Sequence, residues 1–188
     1  MSIQTRRERE RAEREKLIIA TARDLAEAEG WDAVTTRRLA ERIEYSQPVL
    51  YSHFKGKGAI MAAVAVEGAA ELTAELRAAR EAAEDGVLAA VGSAYSAFAG
   101  RCPAVYDAMF GQNVELPFAT PEAPSAMHEA FGELLEAVRP HAGDDDLVLL
   151  TETFWAALHG LVTLTRDGRL PPEQHDRRLA MLLARFTA

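Results

Sequence analysis

The stretch that decides the fold is TTRRLAERIEYSQPVLYSHFKGK, from Thr35 to Lys57. Thr35 is a good N-cap, and Leu39 and Ile43 lie four residues apart on one face of a short helix. Ser46 can cap a second short helix that carries a proline in its first turn, where a missing backbone N–H costs little. Two short helices joined this tightly predict a helix-turn-helix, in which the first helix braces a second that enters the DNA major groove.

The outward-facing side chains of the second helix are the candidate base contacts. Leu50 and Phe54 are spaced for the core, with Val49 near them. Gln47 can pair with adenine N6 and N7, and the Pro48 ring or Val49 can touch a thymine methyl group. We therefore expect bases to be read from the N-terminal turn of this helix.

Other polar residues of the stretch suit phosphate contacts, which position a protein on DNA without specifying sequence. Tyr51 and His53 are expected to face outward, with a core aromatic as the alternative for Tyr51. Thr36 offers a hydroxyl and a backbone N–H at a helix start, where the helix dipole favours an anion, and Lys57 suits the start of the next helix. The predicted DNA-contact set is Thr36, Arg37, Ser46, Gln47, Pro48, Tyr51, His53 and Lys57.

For two groups of arginines, the sequence is compatible with either a solvated surface role or a DNA contact. For Arg37 and Arg38, solvated side chains and DNA contacts both stay open. Arg6, Arg7 and Arg9 begin a helix expected over residues 6–29, where charges of alternating sign favour pairs four residues apart. The alternative is an arm that reaches phosphate or the minor groove.

The net charge of −8 is unevenly distributed along the 188 residues. Residues 1–60 hold 12 Lys and Arg against 10 Asp and Glu, a net charge of +2, so the remainder carries −10. Counterion release acts through the few phosphates that are contacted, and a local basic patch is sufficient. An acidic chain is thus compatible with DNA binding by its first third.

The same stretch resembles the helix-turn-helix of TetR/AcrR-type transcriptional regulators. The resemblance rests on Thr36, Leu39-Ala40, Ser46, Leu50-Tyr51, His53-Phe54 and Lys57. Further along, Phe154-Trp155 to His159-Gly160 resembles a Trp…His-Gly motif in one subgroup of TetR-type C-terminal domains. The family usually has a glycine in the turn where this chain has Glu44, followed by Tyr45 in place of a small aliphatic residue. A residue other than glycine at positive φ costs about 1 kcal/mol.

The resemblance implies three DNA-binding helices followed by a ligand-binding and dimerisation domain. Residues matching Thr36, Tyr51 and Lys57 are typical phosphate contacts in the family. It also implies a homodimer, a partly palindromic operator, and an effector in the C-terminal domain that shifts the spacing of the two DNA-binding heads. A repressor released by a small apolar molecule is the expected function.

Helical periodicity extends through the rest of the chain, without strand alternation of any length. We predict an all-α protein of about nine helices, with a DNA-binding domain at 1–57, a connector helix at 58–80 and a second domain at 81–188. The longest irregular stretch is 111–124, which contains Pro117, Pro121 and Pro124. The helix beginning at Leu147 is apolar on two sides, so one side can face a partner subunit. We expect dimerisation through the last two helices.

The second domain is expected to hold a small apolar molecule, because aromatic residues and methionines recur along its helices. The predicted lining is Tyr95, Phe98, Met109, Phe110, Met127, Phe131, Trp155 and His159. Thr151 and Asn113 are further polar candidates. The alternative is that these side chains simply fill the core.

Sequence signals for catalysis, metals and cofactors are weak. We therefore expect that the protein is not an enzyme and binds neither a metal nor a cofactor. His128-Glu129 begins like a zinc-helix motif, but Gly132 stands where the second His is needed. Asp144 to Asp146 suits a helix N-terminus better than a metal site. The single Cys102, the charged N-terminus and the expected lack of a membrane-spanning run suit the cytoplasm. A ligand-binding or enzymatic helical domain with an incidental helix-turn-helix, and a purely structural dimer, are the competing classes.

Overall fold

The computed structural model describes residues 3–111, 116–117 and 120–187, and their regular structure is entirely helical. Nine α-helices lie within those ranges: α1 Ile3–Glu29, α2 Thr36–Arg42, α3 Gln47–His53, α4 Lys57–Ala82, α5 Val87–Arg101, α6 Pro103–Phe110, α7 Ser125–Val138, α8 Leu147–Arg166 and α9 His175–Phe186. Short 3-10 turns lie at Trp31–Ala33, Arg139–His141 and Pro172–Gln174. The predicted fold class is confirmed.

Side-chain caps fix two of the helix starts. The Thr35 hydroxyl accepts a hydrogen bond from the Arg38 N–H at 3.2 Å, as expected for the N-cap of α2. Asp146 Oδ1 accepts from the N–H groups of Val148 at 2.9 Å and Leu149 at 3.1 Å. These bonds satisfy donors that have no partner within the helix, so the predicted capping role of the acidic run is confirmed for Asp146.

The chain divides into two compact units. The first comprises Met1–Gly68 and Cys102–Pro117, and its buried core residues include Ile18, Leu25, Leu39, Leu50, Ile60 and Val105. The second comprises Ala69–Arg101 and Phe118–Ala188, and its buried core residues include Leu76, Val91, Tyr95, Phe98, Phe154 and Leu158. Each unit therefore has an apolar core of its own.

The division differs from the predicted boundaries at residues 57 and 80. It falls within α4, and it places α6 with the helix-turn-helix. A Cβ added at Gly68 would lie 2.2 Å from Val105 Cγ1, so the absent side chain lets α6 pack directly against α4. The Glu27 carboxylate also accepts from the N–H groups of Ala104 and Val105, both at 3.1 Å. These contacts join distant parts of the sequence, which local composition does not reveal.

One side of α8 is buried in the second unit, and another side is exposed and apolar. Phe154 and Leu158 are fully buried, whereas Leu149 is 61% exposed and Leu164 41%. By length and composition α8 could cross a membrane, with 20 residues and a mean hydropathy of 1.5 in its most apolar window. The expectation that no run is long and apolar enough is therefore wrong, although core helices of soluble proteins meet the same criterion.

Candidate nucleic-acid interface

The turn between α2 and α3 holds Glu44 in the left-handed conformation, with a φ of 58°. The Ile43 N–H donates to the Leu39 carbonyl at 3.1 Å, and the Tyr45 N–H reaches back to the Ala40 carbonyl at 2.9 Å. The Tyr45 bond, which spans the left-handed residue, is the 6→1 bond of a Schellman cap, and the Ile43 bond is the last regular bond of the helix. Such a cap usually has glycine at the left-handed position. Glu44 therefore adopts the left-handed conformation that favours the glycine usual in the family at this position.

The α3 helix presents Gln47, Pro48 and Tyr51 to solvent above a buried Leu50. Pro48 lies in the first turn, as predicted. Tyr51 is 54% exposed, so the core alternative for this aromatic residue does not apply. Phe54 is half-buried rather than fully buried. The exposed face of α3 thus includes Gln47, Pro48 and Tyr51, as helical spacing around Leu50 predicted.

The α2 and α3 helices bring two predicted phosphate contacts together. Thr36 follows the N-cap of α2, and its hydroxyl lies 3.4 Å from the Tyr51 hydroxyl. Each hydroxyl can donate to a phosphate oxygen, so the pair forms one polar point on the exposed surface. Ser46 occupies the N-cap position of α3 without a side-chain cap hydrogen bond, and its side chain is exposed. The expected cap by the Ser46 hydroxyl is therefore wrong.

The structure turns His53 away from this surface. Its side chain is 4% exposed, and Nδ1 lies 3.2 Å from Glu15 Oε1 on α1. His53 follows Leu50 by three residues, which is nearly one helical turn, so both side chains lie on the inward face. The expected outward orientation of His53 is wrong. The bracing role of Glu15 could not be predicted from the sequence, because a contact across 38 residues leaves no local pattern.

Arg11 completes a second tie between α1 and the end of α3. Its Nε lies 2.9 Å from Glu15 Oε1, and its Nη2 donates to the Ser52 carbonyl at 3.2 Å. A carbonyl near the C-terminus of a helix lacks a partner within the helix, and a cation there also favours the dipole. Arg11 and Glu15 thus fix the orientation of α3 from the α1 side.

Lys57, at the start of α4, is half-buried and donates to the Trp31 carbonyl. An ammonium group has three donors, so this bond leaves two for an anion. The indole Nε1 of Trp31 in turn donates to the Ala104 carbonyl of α6 at 2.7 Å. Lys57 is therefore bonded to Trp31, a contact 26 residues away that the sequence did not indicate.

The arginines at the start of α1 and on α2 form ion pairs within the chain. Arg6 pairs with Glu10 at 2.8 Å, and Arg37 pairs with Glu41 at 2.9 Å. The latter bond raises the pKa of Arg37. These pairs lie four residues apart, which confirms the predicted pairing pattern for α1. Exposed pairs of this kind add little to stability, because solvent screens them, and the arginine can exchange its carboxylate partner for a phosphate.

Arg38 forms a bidentate ion pair with a carboxylate of α1. Its Nη1 and Nη2 lie 2.9 Å and 2.8 Å from the two oxygens of Glu29, whose pKa is lowered mainly by these hydrogen bonds. Nη1 also donates to the Ala33 carbonyl at 3.3 Å. This geometry gives Arg38 a structural role in joining α2 to α1.

The predicted ligand-lining residues fall in both compact units. Met109 and Phe110 belong to the first unit, and Tyr95, Phe98, Met127, Phe131, Trp155 and His159 belong to the second. Tyr95, Phe98, Met109 and Met127 are buried, as core packing would also require. Phe131, Trp155 and His159 are half-buried. Asn113 lies outside the described residues.

Trp155 and His159 lie one turn apart on α8. Trp155 Nε1 donates to the Tyr95 hydroxyl at 3.0 Å, and the rings of Trp155 and His159 have centroids 6.3 Å apart. Burial, with a smaller effect from the charge of Arg166, lowers the pKa of His159. This part of the second unit thus combines aromatic rings with a few polar atoms, namely the Tyr95 hydroxyl, the indole N–H and the imidazole nitrogens.

Comparisons with known proteins agree with this architecture. Residues 18–64 match the profile of bacterial regulatory proteins of the tetR family, and residues 88–186 match that of the tetracyclin repressor-like C-terminal domain. An uncharacterized HTH-type transcriptional regulator of Mycobacterium tuberculosis is 26% identical over 174 residues, covering 91% of this chain and 78% of that protein. The class C tetracycline repressor protein of Escherichia coli is 50% identical over 48 residues, which cover 26% of this chain and 22% of the repressor.

A solved structure of a protein with unknown function from Rhodococcus sp. RHA1 has the same fold. It aligns with a TM-score of 0.77 and 26% identity over 92% of each chain. The second profile alone spans more than half of this sequence. With the helix-turn-helix on α2 and α3, these similarities show that the chain belongs to the TetR family of bacterial transcriptional regulators.

Proposed function

We propose that this protein is a repressor that binds a partly palindromic operator as a homodimer and is released by a small apolar effector. The observation that carries the proposal is the exposed face of α3, where Gln47, Pro48 and Tyr51 project from a helix anchored by the buried Leu50. A helix presented in this way matches the recognition helix of a helix-turn-helix.

Base readout is assigned to the first turn of α3. Gln47 can bond both N6 and N7 of adenine, and the ring of Pro48 can contact a thymine methyl group. Phosphate contacts are assigned to Thr36, Tyr51 and Lys57. Ser46 and Arg37 are assigned further contacts at the edge of the same surface. His53 is removed from the set, because its buried ring is bonded to Glu15.

Dimerisation is assigned to the exposed apolar sides of α8 and α9. Val148, Leu149 and Leu164 on α8 are 47%, 61% and 41% exposed, and Met181 on α9 is 60% exposed. Large apolar side chains on two adjoining helices favour burial against a second copy, which would give a four-helix bundle. Two-fold pairing would also place two α3 helices for a palindromic operator.

The effector site is assigned to the second unit, around Tyr95, Phe131, Trp155 and His159. The hydrogen bond between Trp155 and Tyr95, together with the lowered pKa of His159, supports a largely apolar site with few polar points. An effector that favours one spacing of the two DNA-binding heads would shift a two-state equilibrium. Because the protein would act on chromosomal DNA, we place it in the cytoplasm.

Selection of bound fragments from random duplex DNA, followed by titration at several salt concentrations, tests the proposal. We expect an inverted repeat and an affinity that falls steeply with salt, since phosphate contacts release counterions. Gln47→Ala should reduce discrimination against other bases at one adenine in each half-site. The reduction should be about 5-fold or more, because a bidentate base contact is lost. Tyr51→Phe should lower the affinity for all DNA sequences about equally, by about 5-fold, because one hydrogen bond to phosphate is lost.

Tyr45→Phe is the matched control, because it removes the same hydroxyl from a half-buried tyrosine of the turn. It should leave both affinity and sequence preference unchanged. Unchanged affinity after Tyr51→Phe would remove Tyr51 from the interface. If the wild-type protein binds no DNA, or binds without salt dependence, the repressor proposal is wrong. That result would favour the competing class, a ligand-binding domain with an incidental helix-turn-helix.

A further inference from the structure

The α6 helix is held in the same compact unit as the helix-turn-helix by contacts at both of its ends. Near its start, the two oxygens of Glu27 on α1 accept from the N–H groups of Ala104 and Val105, each at 3.1 Å. Toward its end, Met109 Sδ would lie 3.2 Å from a Cβ at Gly68. The carboxylate satisfies N–H groups that have no partner within the helix and complements the helix dipole.

Trp31 connects the start of α6 to the start of α4. Its indole Nε1 donates to the Ala104 carbonyl at 2.7 Å, and its own carbonyl accepts from Lys57 Nζ. It follows Gly30, which has a φ of 81° and ends α1 in a conformation that favours glycine. One residue therefore contacts α6 through its side chain and Lys57 through its backbone.

We propose that Trp31 is a positioning residue for DNA binding: its indole bond to α6 places the carbonyl that orients the Lys57 ammonium toward phosphate. This inference rests on the proposed function. Without the indole bond, Trp31 loses one of the contacts that place its carbonyl beside Lys57. The Lys57 ammonium group then has a different orientation, and its contact with phosphate weakens.

The salt dependence of DNA affinity measures this contact directly. Each neutralised phosphate contributes about 0.9 to the slope of log affinity against log salt. Trp31→Phe keeps an aromatic ring but removes the indole donor, so the slope should fall in magnitude by about 0.9 per bound protomer. Lys57→Met should give the same loss, and the double variant should lose no more than either single variant. At 0.15 M salt each change corresponds to about a 5-fold loss of affinity per protomer.

Lys16→Met is the control, because it removes the same charge from an exposed position on α1 and should leave the slope unchanged. A lower affinity with an unchanged slope in Trp31→Phe, or additive losses in the double variant, would overturn the positioning role. If circular dichroism shows that Trp31→Phe is unfolded, Glu27→Gln replaces it. That variant loosens the start of α6 and should reduce the slope by a smaller amount, and an unchanged slope would likewise overturn the inference.

The two proposals fail in different ways. Absence of salt-dependent DNA binding by the wild-type protein would overturn both of them. Normal binding by the wild-type protein, with an undisturbed slope in Trp31→Phe, would overturn only the link through Trp31.

Discussion

At the scale of single residues, Glu44 sets the geometry of the helix-turn-helix at a cost in free energy. Its φ of 58° belongs to the left-handed region, where a Cβ crowds the following carbonyl. The bond from Tyr45 N–H to the Ala40 carbonyl depends on this conformation. The turn therefore forms because this hydrogen bond and the packing of α2 and α3 outweigh the local strain.

Glu44→Gly should stabilise the protein by about 0.5–1 kcal/mol, since relief of the left-handed strain exceeds the added entropy of the unfolded chain. Urea unfolding followed by circular dichroism measures the change. Glu44→Ala is the matched control: it removes the carboxylate but keeps a Cβ, and it should give no such gain. Equal stabilisation by both substitutions would assign the effect to the charge instead of the backbone.

At the scale of elements, a buried carboxylate ties the second half of α4 to α7. Glu133 is 7% exposed, and its oxygens accept from Arg77 Nε at 2.7 Å and from Arg80 Nε at 2.9 Å. Burial alone would raise the pKa of Glu133. The hydrogen bonds and charges of Arg80 and Arg77 outweigh burial and hold the pKa below its ordinary value. The ionised form is therefore the one that stabilises the pairing of these helices.

Glu133→Gln should reduce the free energy of unfolding by about 2 kcal/mol at pH 7, because two arginines lose a buried charged partner. A group with a lowered folded pKa stabilises above its unfolded pKa, and this contribution disappears as pH falls through the folded value. The difference between variant and wild type should thus shrink below about pH 4. Urea unfolding at several pH values measures it.

The control on the same helix is Glu136→Gln, which breaks an exposed pair with Arg139. Its effect on the free energy of unfolding should be much smaller than that of Glu133→Gln, because solvent screens the exposed pair. A Glu133→Gln difference that stays constant down to pH 3 would show that ionisation of this carboxylate does not drive the pairing.

At the scale of the whole molecule, the proposed dimer interface lies on the exposed apolar sides of α8 and α9. Met181→Asp places a charge in the proposed interface and should raise the dimer dissociation constant by about 30-fold or more, the effect of a substitution at an interface hot spot. Sedimentation velocity at micromolar concentration measures the change. Leu17→Asp alters an apolar residue of α1 that is 43% exposed and should leave the dimer intact. A wild-type protein that is monomeric at this concentration would contradict the four-helix bundle.

Local physics explains how much of the fold was predictable from sequence. The start of α2 at Thr35, the cap at Asp146 and the left-handed Glu44 depend on hydrogen bonds between residues two to five apart. Helical periodicity also identified Leu50 as core. Contacts of this range leave their pattern in the sequence, because the same few residues supply both partners.

The sequence by itself determined the helices, the helix-turn-helix and the family, because caps, turn residues and apolar spacing act within one or two helical turns. Only the tertiary structure decided that His53 faces α1, that Lys57 is bonded to Trp31, and that α6 belongs with the DNA-binding unit. Those outcomes depend on partners 26 or more residues away. Their position is set by packing of whole helices, which no local pattern records.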